Sequence, residues 1–362
     1  IHPVAACATA AVSLEEAFDK IRSGRAAVVV AGGFDDFGHE GLIGFAAMNA
    51  TASSDAMEAA GIEARRMSRA NDRRRAGFVE GQGGGTVVVA RGDIAYELGL
   101  PVRGVIAWAG SFSDGINTSI PAPGLGLIGA VRGGGASPLA RALRSLGLDA
   151  DDIAVVSKHD TSTAANDPNE SLIHERLSSA LGRHEDNPLY VISQKTVTGH
   201  AKGGAAAFQT NGLCQVLESG AIPPNRSLDC VDGDLERYAR LVWPTEPLHH
   251  RGSLRAGLLT SLGFGHVAAI VAIVHPEAFV ATIEPDRRDD YRRRAAQRSE
   301  RGQRRRVAAR VGGAPLYVRP DHRLGDRPAA RRDLEAAMLV DPDARLGPDG
   351  TYRVPTIDQA AS

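Results

Sequence analysis

Short apolar runs rich in valine and isoleucine recur along the chain, and each is stopped by glycine or by a polar loop. They include residues 26–33 (AAVVVAGG), 83–92 (GGGTVVVARG), 102–112 (VRGVIAWAGSF), 153–160 (IAVVSKHD), 188–196 (PLYVISQKT) and 256–276 (AGLLTSLGFGHVAAIVAIVHP). Short apolar runs bounded by turn signals are typical of strands buried on both faces of a sheet. Because helical patterns alternate with these runs, the sequence predicts an α/β architecture with mainly buried sheets.

Three segments have the apolar spacing of helices. They are residues 8–24, 137–148 and 203–220. The first has an ambiguous start, because Ser13 and Glu16 have the spacing of a capping box and would allow the helix to begin at Ser13. A helix that begins just after Cys7 would instead place this thiol beside free backbone N–H groups and the positive end of the helix dipole, which favour a thiolate.

The composition bounds the class of protein and its partners. With 362 residues, of which 43% are hydrophobic, the chain can bury a large core. A formal net charge of -1 gives no reason to expect a nucleic acid or a membrane as partner. Three cysteines without metal-ligand spacing indicate reduced thiols, so we expect a cytoplasmic protein with no bound metal. The sequence does not begin with methionine, and we expect it to be a segment of a longer polypeptide.

The character of the sequence changes near Glu284. An arginine-rich stretch predicts a helix, and polar sequence interrupted by glycine and proline follows to residue 362. We favour a solvated helix that docks on an acidic neighbour over a nucleic-acid-binding helix, because acidic residues dilute the charge and only Tyr291 is present for stacking. The acidic residues are Asp286, Asp289, Asp290 and Glu300. We therefore divide the chain into residues 1–283 and 284–362.

One cysteine and two histidines have settings that suit covalent chemistry. Cys7 lies where an apolar segment meets a helix start, and His159 and His200 each follow a short strand and lie in loops rich in Thr, Ser and Gly. Each alone is equally well explained as a packed or hydrogen-bonded residue. Together they offer a nucleophile and two imidazoles, the components of acyl transfer. Cys214 and Cys230 lie in ordinary helical and loop patterns, and we interpret them as structural.

Four motifs, taken in order, resemble those of β-ketoacyl synthases, the condensing enzymes of the thiolase superfamily. They are AACATA around Cys7, KHDTST around His159, SQKTVTGHAKG around Lys195 and His200, and SLGFGH around Phe264. Residues 71–92 (NDRRRAGFVEGQGGGTVVVARG) and 222–230 (IPPNRSLDC) are similar to further segments of these enzymes. The resemblance covers residue 1 to about residue 276.

The resemblance implies an α/β fold of the thiolase-like type, a five-layered αβαβα sandwich made of two similar βαβαβαββ halves. The nucleophile would lie in the first half and both histidines in the second. On this basis we expect Ile1 to lie near the end of the strand before the nucleophile, so that the sandwich is incomplete and most of the first half is missing. Residues 1–362 expressed alone are then expected to be inactive or poorly soluble, because a central sheet would lack its neighbouring strands.

The resemblance also implies a two-step condensation. An acyl chain would pass from a phosphopantetheine thiol to Cys7, and decarboxylation of malonyl carrier protein would give a carbanion that attacks this thioester. His159 and His200 would hydrogen-bond the malonyl thioester carbonyl, which requires largely neutral rings with Nε2–H donors. The backbone N–H groups of Cys7 and Phe264 would form the oxyanion hole, and Phe264 would also act as a gate. This mechanism favours a helix start beside Cys7 over one at Ser13.

The remaining roles follow from the same resemblance. Lys195 would hold the histidine network through a buried charge, and Thr161 and Thr163 would line the pantetheine tunnel. No cofactor is implied within the segment, because the substrates are carried on the 4′-phosphopantetheine of acyl carrier protein. The implied partners are the acyl carrier protein domain, acyl and malonyl thioesters, and the other domains of a fatty acid synthase in a homo-oligomer.

Two departures from the general pattern indicate a subgroup. Condensing enzymes commonly have glycine where this chain has Asp160, and glutamate where Gln209 stands. KHDTST with GHAKGGAAAFQ is similar to the synthase domain of microbial type I fatty acid synthases. We prefer the actinobacterial form to the fungal one, because nothing after Glu284 looks like a carrier-modifying domain. A polyketide synthase ketosynthase and a non-catalytic structural domain of a large assembly are the alternatives.

Overall fold

A six-stranded sheet and a two-stranded sheet carry the fold in the computed structural model, which describes residues 1–115, 124–250, 252–313, 345–346 and 352–353. The strands are β1 (Val28–Asp35), β2 (Gly83–Ala90), β3 (Val105–Ser113), β4 (Ile153–Ser157), β5 (Leu189–Ile192), β6 (Ala221–Ile222), β7 (Leu241–Val242), β8 (Leu248–His249), β9 (Ala256–Gly263), β10 (Val267–Val274), β11 (Arg345–Leu346) and β12 (Tyr352–Arg353). The α-helices are α1 (Thr9–Arg22), α2 (His39–Ala47), α3 (Ser54–Ala59), α4 (Gly92–Leu98), α5 (Pro138–Ser145), α6 (Asn166–Leu181), α7 (Lys195–Thr198), α8 (Ala205–Ser219), α9 (Glu277–Ala281) and α10 (Arg288–Arg310).

The larger sheet has the strand order β3-β10-β9-β4-β5-β7. β10 pairs antiparallel with both β3 and β9, whereas β4 runs parallel to β9 and to β5. Parallel strands end at the same side of a sheet. The segments that follow Ser157, Ile192 and Gly263 therefore emerge at one side of the sheet, and these segments carry most of the sequence motifs described above.

The helices α1 and α8 lie between the two sheets. Their apolar faces share one core cluster with β1, β9 and β10, and the residues of α1 in this cluster include Ala10 and Leu14. On the other face of the large sheet, α5 and α6 contribute Leu139, Leu143 and Ile173 to a second cluster. The described residues thus form four layers in the order β, α, β, α, and the predicted α/β class is confirmed.

The outer face of the β1–β2 sheet differs from the expectation. The run at 26–33 predicts a strand buried on both faces, but Val28 and Val30 are 45% and 66% exposed, and Val88 on β2 is 65% exposed. Because alternate residues of a strand face opposite sides, α1 and α8 cover only one set of side chains. The prediction of burial on both faces is wrong at these positions in the described part of the chain, since an apolar run does not reveal how many layers cover it.

The helix α1 begins beside Cys7. A short 3-10 turn (Ala6–Ala8) leads directly into α1 at Thr9. The alternative start at Ser13 is wrong, because the Ser13 hydroxyl accepts a hydrogen bond from the backbone N–H of Gly32 on β1 at 3.1 Å and does not cap the helix. The prediction of a start within a residue or so of Cys7 is confirmed.

Two other local predictions are confirmed: the helix at 137–148 and the pair of adjacent strands at 256–276. The helix α5 begins with Pro138, and the hydroxyl of Ser137 before it accepts the Ala140 N–H at 3.2 Å. The strands β9 and β10 form a hairpin whose turn contains Phe264 and Gly265, and Gly265 has a φ of 91°, which glycine adopts without strain.

The chain divides into two compact units, Ile1–Ala296 and Gln297–Ser362. The arginine-rich stretch forms α10, so the predicted helix is confirmed. In the second unit, β11 and β12 pair antiparallel, and the rest of the predicted polar tail (314–344, 347–351 and 354–362) lies outside the described residues. The predicted boundary at residue 283 stays a prediction. None of the helices in the described residues is both long and apolar enough to cross a membrane.

A close contact at Gly33 joins β1 to α1 and to the turn after His200. A Cβ atom at this glycine would lie 2.2 Å from the carbonyl oxygen of Gly203 and 2.9 Å from the Cβ atom of Ala10. We expect Gly33→Ala to destabilise the fold by about 1–3 kcal/mol in chemical denaturation, because the backbone carbonyl cannot yield without moving the turn. Gly41→Ala in α2 is the matched control, since a Cβ there meets no atom within 4 Å. An equal loss of unfolding free energy in both variants would contradict the packing argument.

Candidate active site

Cys7 lies in the 3-10 turn before α1. Ala6 has a φ of 46°, in the left-handed region, so the chain turns sharply just before the cysteine. The hydroxyl of Thr9 accepts the Ala5 N–H at 3.0 Å, and the hydroxyl of Ser261 donates to the Cys7 carbonyl at 2.9 Å. Cys7 is only 4% exposed. The thiol is therefore fixed between the start of α1 and the end of β9.

Burial governs the protonation of Cys7. It raises the pKa of the thiol above its ordinary value, because a thiolate loses its hydration in the interior. The charges of Lys195 and Lys202 and the backbone N–H of Phe264 act in the opposite direction without outweighing burial. The expectation that the helix start favours a thiolate is therefore too simple. Cys7 rests as a thiol and requires a base to become a nucleophile.

His200 lies beside the sulfur of Cys7. It follows the short helix α7, and its backbone N–H donates to the carbonyl of Val79 at 2.8 Å, which holds the loop in place. The distance from His200 Nε2 to Cys7 Sγ is 3.2 Å. The ring of Phe78 packs edge-on against the imidazole, with ring centroids 5.0 Å apart. His200 can thus exchange a proton with Cys7.

His159 is the second imidazole at the same place. It follows β4, and its ring centroid lies 5.3 Å from that of His200. Lys195 Nζ lies 2.8 Å from His159 Nδ1 and also donates to the His159 carbonyl. Because an ammonium group can only donate, it makes Nδ1 the acceptor and leaves the proton of the neutral ring on Nε2. Lys195 therefore fixes the tautomer that the predicted mechanism requires.

Both histidines are neutral near pH 7. Burial, followed by the charge of Lys195, lowers the pKa of His159 and that of His200 well below the ordinary value. The same burial lowers the pKa of Lys195 to about 8, although the neighbouring Cys7 and buried carboxylates favour its charged form. The site thus combines two neutral rings with one buried cation.

A buried carboxylate supports the backbone of His159. Glu170 on α6 accepts the backbone N–H groups of His159 and Asp160, the latter at 2.9 Å, and the hydroxyl of Thr260 at 2.6 Å. Burial raises the pKa of this carboxyl, but the surrounding donors and positive charges outweigh burial and hold the pKa below its ordinary value. Glu170 therefore remains ionised and links α6, β9 and the His159 loop.

A second carboxylate lies on the same helix. Asp167 accepts the backbone N–H of Asn71 at 2.8 Å. Burial, together with the charge of Asp160, raises its pKa to about 7. Sequence reasoning missed both Asp167 and Glu170, although two acidic residues three apart on a helix share one face. Their position directly after the His159 loop was the available signal.

Phe264 lies in the turn between β9 and β10. Its backbone N–H is directed at the sulfur of Cys7. The side chain is half-buried and stacks on Phe45, with ring centroids 5.7 Å apart and an interplanar angle of 27°. The structure therefore places Phe264 where its backbone can contribute to an oxyanion hole. Its predicted roles in the oxyanion hole and as a gate stay predictions.

Thr161 and Thr163 lie on the loop directly after His159. Their hydroxyl oxygens are 3.0 Å apart, and the Thr163 hydroxyl also accepts the backbone N–H of Asn166 at 3.1 Å. The two threonines thus contact each other on this loop, and their predicted contact with pantetheine stays a prediction.

Gln209 explains one departure from the general sequence pattern. Its amide nitrogen donates to the carbonyl oxygens of Ser157 at 3.0 Å, Lys158 at 2.8 Å and Thr260 at 3.2 Å. These carbonyls lie at the end of β4 and within β9, so the amide joins the two strands below the site. An ionised carboxylate cannot donate, and glutamine is therefore suited to this position.

Cys7, His159 and His200 also have the chemistry of metal ligands. Their sulfur and nitrogen ligand atoms all lie within 4.8 Å of one another. A thiolate and two neutral imidazoles suit Zn²⁺, but the positive charge of Lys195 beside His159 disfavours a cation. The same three groups serve covalent acyl chemistry without a metal. The predicted absence of a metal and of a cofactor stays a prediction.

The chain is similar in sequence to fatty acid synthases. The chain is 40% identical over 357 residues to the fatty acid synthase alpha subunit stcJ of Emericella nidulans, covering 97% of this chain and 22% of that protein. It is 38% identical over 354 residues to fatty acid synthase 2 of Mycosarcoma maydis, covering 97% of this chain and 9% of that protein. The chain therefore spans about a fifth or less of these relatives. Both come from fungi, and the preference for the actinobacterial form stays a prediction.

Solved structures show the same fold. The noncanonical ketosynthase FabY from P. aeruginosa matches with a TM-score of 0.79 and 23% identity, over 98% of this chain and 55% of that chain. The ishigamide ketosynthase/chain length factor matches with a TM-score of 0.60 and 24% identity, over 75% of this chain and 60% of that chain. The predicted thiolase-like fold is confirmed.

Two family models match consecutive parts of the sequence. The model described as "Beta-ketoacyl synthase, N-terminal domain" matches residues 1–95, and the one described as "Beta-ketoacyl synthase, C-terminal domain" matches residues 103–229. Cys7 lies in the first match, and His159, Lys195 and His200 lie in the second. Because the two domains follow one another in order and cover more than half of the residues, the chain belongs to the β-ketoacyl synthase family.

Proposed function

We propose that the chain acts as a β-ketoacyl-[acyl-carrier-protein] synthase, which condenses a Cys7-bound acyl chain with malonyl carrier protein in fatty acid elongation. The 3.2 Å contact between Cys7 Sγ and His200 Nε2, with the His159 ring beside it, carries this proposal. It supplies a nucleophile, a base for the thiol proton and two imidazoles at one reacting centre. The similarity to fatty acid synthase subunits supports the same pathway.

In the first step, Cys7 takes the acyl group. Its sulfur attacks the thioester carbonyl of an acyl-phosphopantetheine while His200 Nε2 accepts the thiol proton. The backbone N–H groups of Phe264 and Cys7 stabilise the negative charge that develops on the carbonyl oxygen. The C–S bond to pantetheine then breaks, and the departing sulfur takes up the proton. The products are a Cys7 thioester and a free pantetheine thiol.

In the second step, a malonyl thioester loses CO₂. The bond between the malonyl carboxylate and the α-carbon breaks, and its electron pair forms an enolate. The enolate oxygen accepts hydrogen bonds from the Nε2–H groups of His159 and His200. The α-carbon then attacks the carbonyl of the Cys7 thioester, a C–C bond forms, and the Cys7 sulfur leaves and takes a proton from solvent.

The two histidines have different roles in the two steps. His159 only donates, and Lys195 holds it in the Nε2–H tautomer. His200 accepts a proton in the first step and donates a hydrogen bond in the second. Its Nδ1 has no hydrogen-bond partner among the described residues, so neither tautomer of this ring is fixed. This asymmetry suits one fixed donor and one proton carrier.

The further parts of the proposal concern the surroundings of the site. Thr161 and Thr163 line the path of the 4′-phosphopantetheine arm, and no cofactor binds within the segment itself. The partners are the acyl carrier protein domain and the other domains of a homo-oligomeric cytoplasmic fatty acid synthase. Residues 1–283 form the synthase domain, and residues 284–362 form an arginine-rich helix with a polar tail.

Trapping the acyl-enzyme tests the proposal. The full native polypeptide is incubated with a radiolabelled acyl-pantetheine thioester and no malonyl thioester, digested, and mapped by mass spectrometry. We expect about one label per chain, on Cys7, which is released when malonyl thioester is added. Label on another residue, or label on Cys7 that is not consumed by malonyl thioester, would contradict the proposed function.

The pKa of Lys195 predicts an alkaline limit for malonyl decarboxylation. Because the protonated ammonium fixes the His159 tautomer, the rate should fall as the pH rises through about 8, the value to which burial lowers this pKa. A single deprotonation gives a limiting decrease of about tenfold per pH unit. CO₂ release measured from pH 6 to 10 checks this, with Lys195→Arg as the control, because arginine stays charged over that range. A wild-type profile that is flat to pH 10, or an unchanged limit in Lys195→Arg, would contradict the assignment.

A further inference from the structure

Lys158 and Asp160, the two neighbours of His159, form a buried ion pair. Lys158 Nζ lies 2.8 Å from Asp160 Oδ1, and both side chains are 0% exposed. Both residues lie in the loop that follows β4. The Lys158 and Asp160 side chains therefore contact each other, whereas the His159 ring between them lies against Cys7 and His200.

Lys158 is fully satisfied in this position. Its Nζ donates to Asn71 Oδ1 at 3.0 Å, to Ser171 Oγ at 3.0 Å and to the Asp167 carbonyl at 3.4 Å. The contact with Asp160 is therefore an ion pair added to three hydrogen bonds. Burial lowers the pKa of Lys158, but the neighbouring carboxylates outweigh burial and raise it, so the group stays charged.

Asp160 closes the same network from the other side. Its Oδ2 accepts Asn71 Nδ2 at 2.9 Å and also accepts the hydroxyl of Ser193. Asn71 thus bridges Lys158 and Asp160 with the two ends of one amide. Ser193 lies two residues before Lys195, which contacts the His159 ring. The pair therefore ties the His159 loop to the segment that carries Lys195.

The backbone at Asp160 gives a reason for the pair. Asp160 has a φ of 36°, in the left-handed region where glycine is favoured and a side chain is strained. The general condensing-enzyme pattern has glycine at this position. A glycine would remove the strain, but it would leave Lys158 without its charge partner and Ser193 and Asn71 without their acceptor. The charge pair holds in one conformation a segment that glycine would leave freer.

We propose that the Lys158–Asp160 ion pair is a positioning device for His159, which sets the rate of malonyl decarboxylation and leaves acyl loading of Cys7 largely unaffected. The inference rests on the proposed function. It follows from connectivity. The pair flanks His159 and binds Ser193, two residues before Lys195. Cys7 lies in the turn before α1, and His200 lies beyond α7, where the Val79 carbonyl holds its backbone N–H. The fixed donor depends on the pair, and the nucleophile with its base does not.

A double-mutant cycle in the full native polypeptide tests this inference. The variants are Lys158→Met, Asp160→Asn and the two combined. Two rates are measured: acyl loading of Cys7 from a labelled acyl-pantetheine thioester, and release of CO₂ from carboxyl-labelled malonyl-pantetheine. In each single variant we expect kcat for CO₂ release to fall about 10- to 100-fold with little change in KM, because one buried charge is left unpaired. Acyl loading should change less than about threefold.

The double variant separates positioning from general damage. Because it removes both members of the pair, neither Lys158 nor Asp160 is left without the other, and it should recover at least about tenfold in CO₂ release relative to Lys158→Met. Arg183→Met is the matched control, since Arg183 is a buried cation that binds the carbonyls of Ala150 and Pro188. It should leave the ratio of the two rates unchanged. If Lys158→Met does not fold, Asp160→Asn alone still tests the inference, because the ratio of CO₂ release to acyl loading can be measured in that variant.

The outcomes are distinguishable from failure of the proposed function. If the wild-type protein neither loads Cys7 nor releases CO₂, the proposed function is overturned and the positioning inference falls with it. If both wild-type rates are present but the pair variants reduce them equally, or reduce neither, only the positioning inference is overturned. A selective loss of CO₂ release with recovery in the double variant supports it.

Discussion

Replacement of Cys7 by alanine is expected to lower the rate of β-ketoacyl product formation by at least about 1000-fold and to abolish acyl labelling of the chain. The acyl group then has no sulfur acceptor beside His200. The fold should be retained, because Cys7 stands in a run of alanines and the substitution removes a single buried atom. The measurement is product formation from acyl and malonyl thioesters, with an unfolding curve to check stability.

A second, half-buried thiol provides the control. Burial raises the pKa of Cys214 on α8 to about 11, and its side chain packs against the core between the two sheets. Cys214→Ala should therefore keep product formation within about threefold of wild type. Cys7→Ser should be nearly as inactive as Cys7→Ala, because a hydroxyl is a far weaker nucleophile than a thiolate. Persistence of condensation in Cys7→Ala, or an equal loss in Cys214→Ala, would exclude Cys7 as the acyl acceptor.

Most of the candidate site could be predicted because its residues follow recognisable strands. His159 follows β4, Lys195 and His200 follow β5, and Phe264 follows β9, and these three strands are parallel. Apolar periodicity reveals the strands, and parallel pairing brings their ends together. The remaining member of the site is Cys7, and its role could be predicted only by choosing a helix start beside Cys7 over one at Ser13. That choice came from the expected chemistry, because local spacing alone permitted Ser13.

What the sequence did not reveal depends on burial and on contacts between distant residues. Ser13 has a capping-box spacing, yet its hydroxyl binds Gly32 on another element. The helix start favours a thiolate at Cys7, yet burial outweighs it. Apolar runs in β1 and β2 carry no information on how many layers cover them. In each case a local signal is present in the sequence, and a tertiary interaction of larger magnitude decides the outcome.

The buried network below the histidines could be predicted least well. Its members come from residues 69–75, 157–174 and 193–195, and each looks like an ordinary polar loop or helix residue in isolation. Asn71 illustrates this: it is fully buried and contacts Lys158, Asp160 and Ser193. Buried polar groups must be satisfied by specific partners, and those partners are defined only by the complete fold.

Substitution of Glu170 by glutamine is expected to destabilise the fold by about 3–5 kcal/mol, because it removes the negative charge that faces buried positive groups and replaces an acceptor by a donor. Glu170 accepts two backbone N–H groups and the Thr260 hydroxyl, and an amide cannot accept all three. Glu16→Gln is the matched control, because Glu16 pairs with Lys20 on the surface of α1. Exposed pairs of this kind contribute about 0–1 kcal/mol.

The pH dependence of this loss provides a second test. The folded state holds the pKa of Glu170 below its ordinary value of 4.5, so the unfolded chain binds a proton at higher pH than the folded protein does. The stabilisation by the ionised carboxylate is therefore fully present above about pH 4.5 and declines as the pH falls below it. Chemical denaturation of wild type and Glu170→Gln should show the full difference at pH 7 and a smaller one at pH 3.5. A difference that is independent of pH would mean that lost packing, and not the charge of Glu170, accounts for the change.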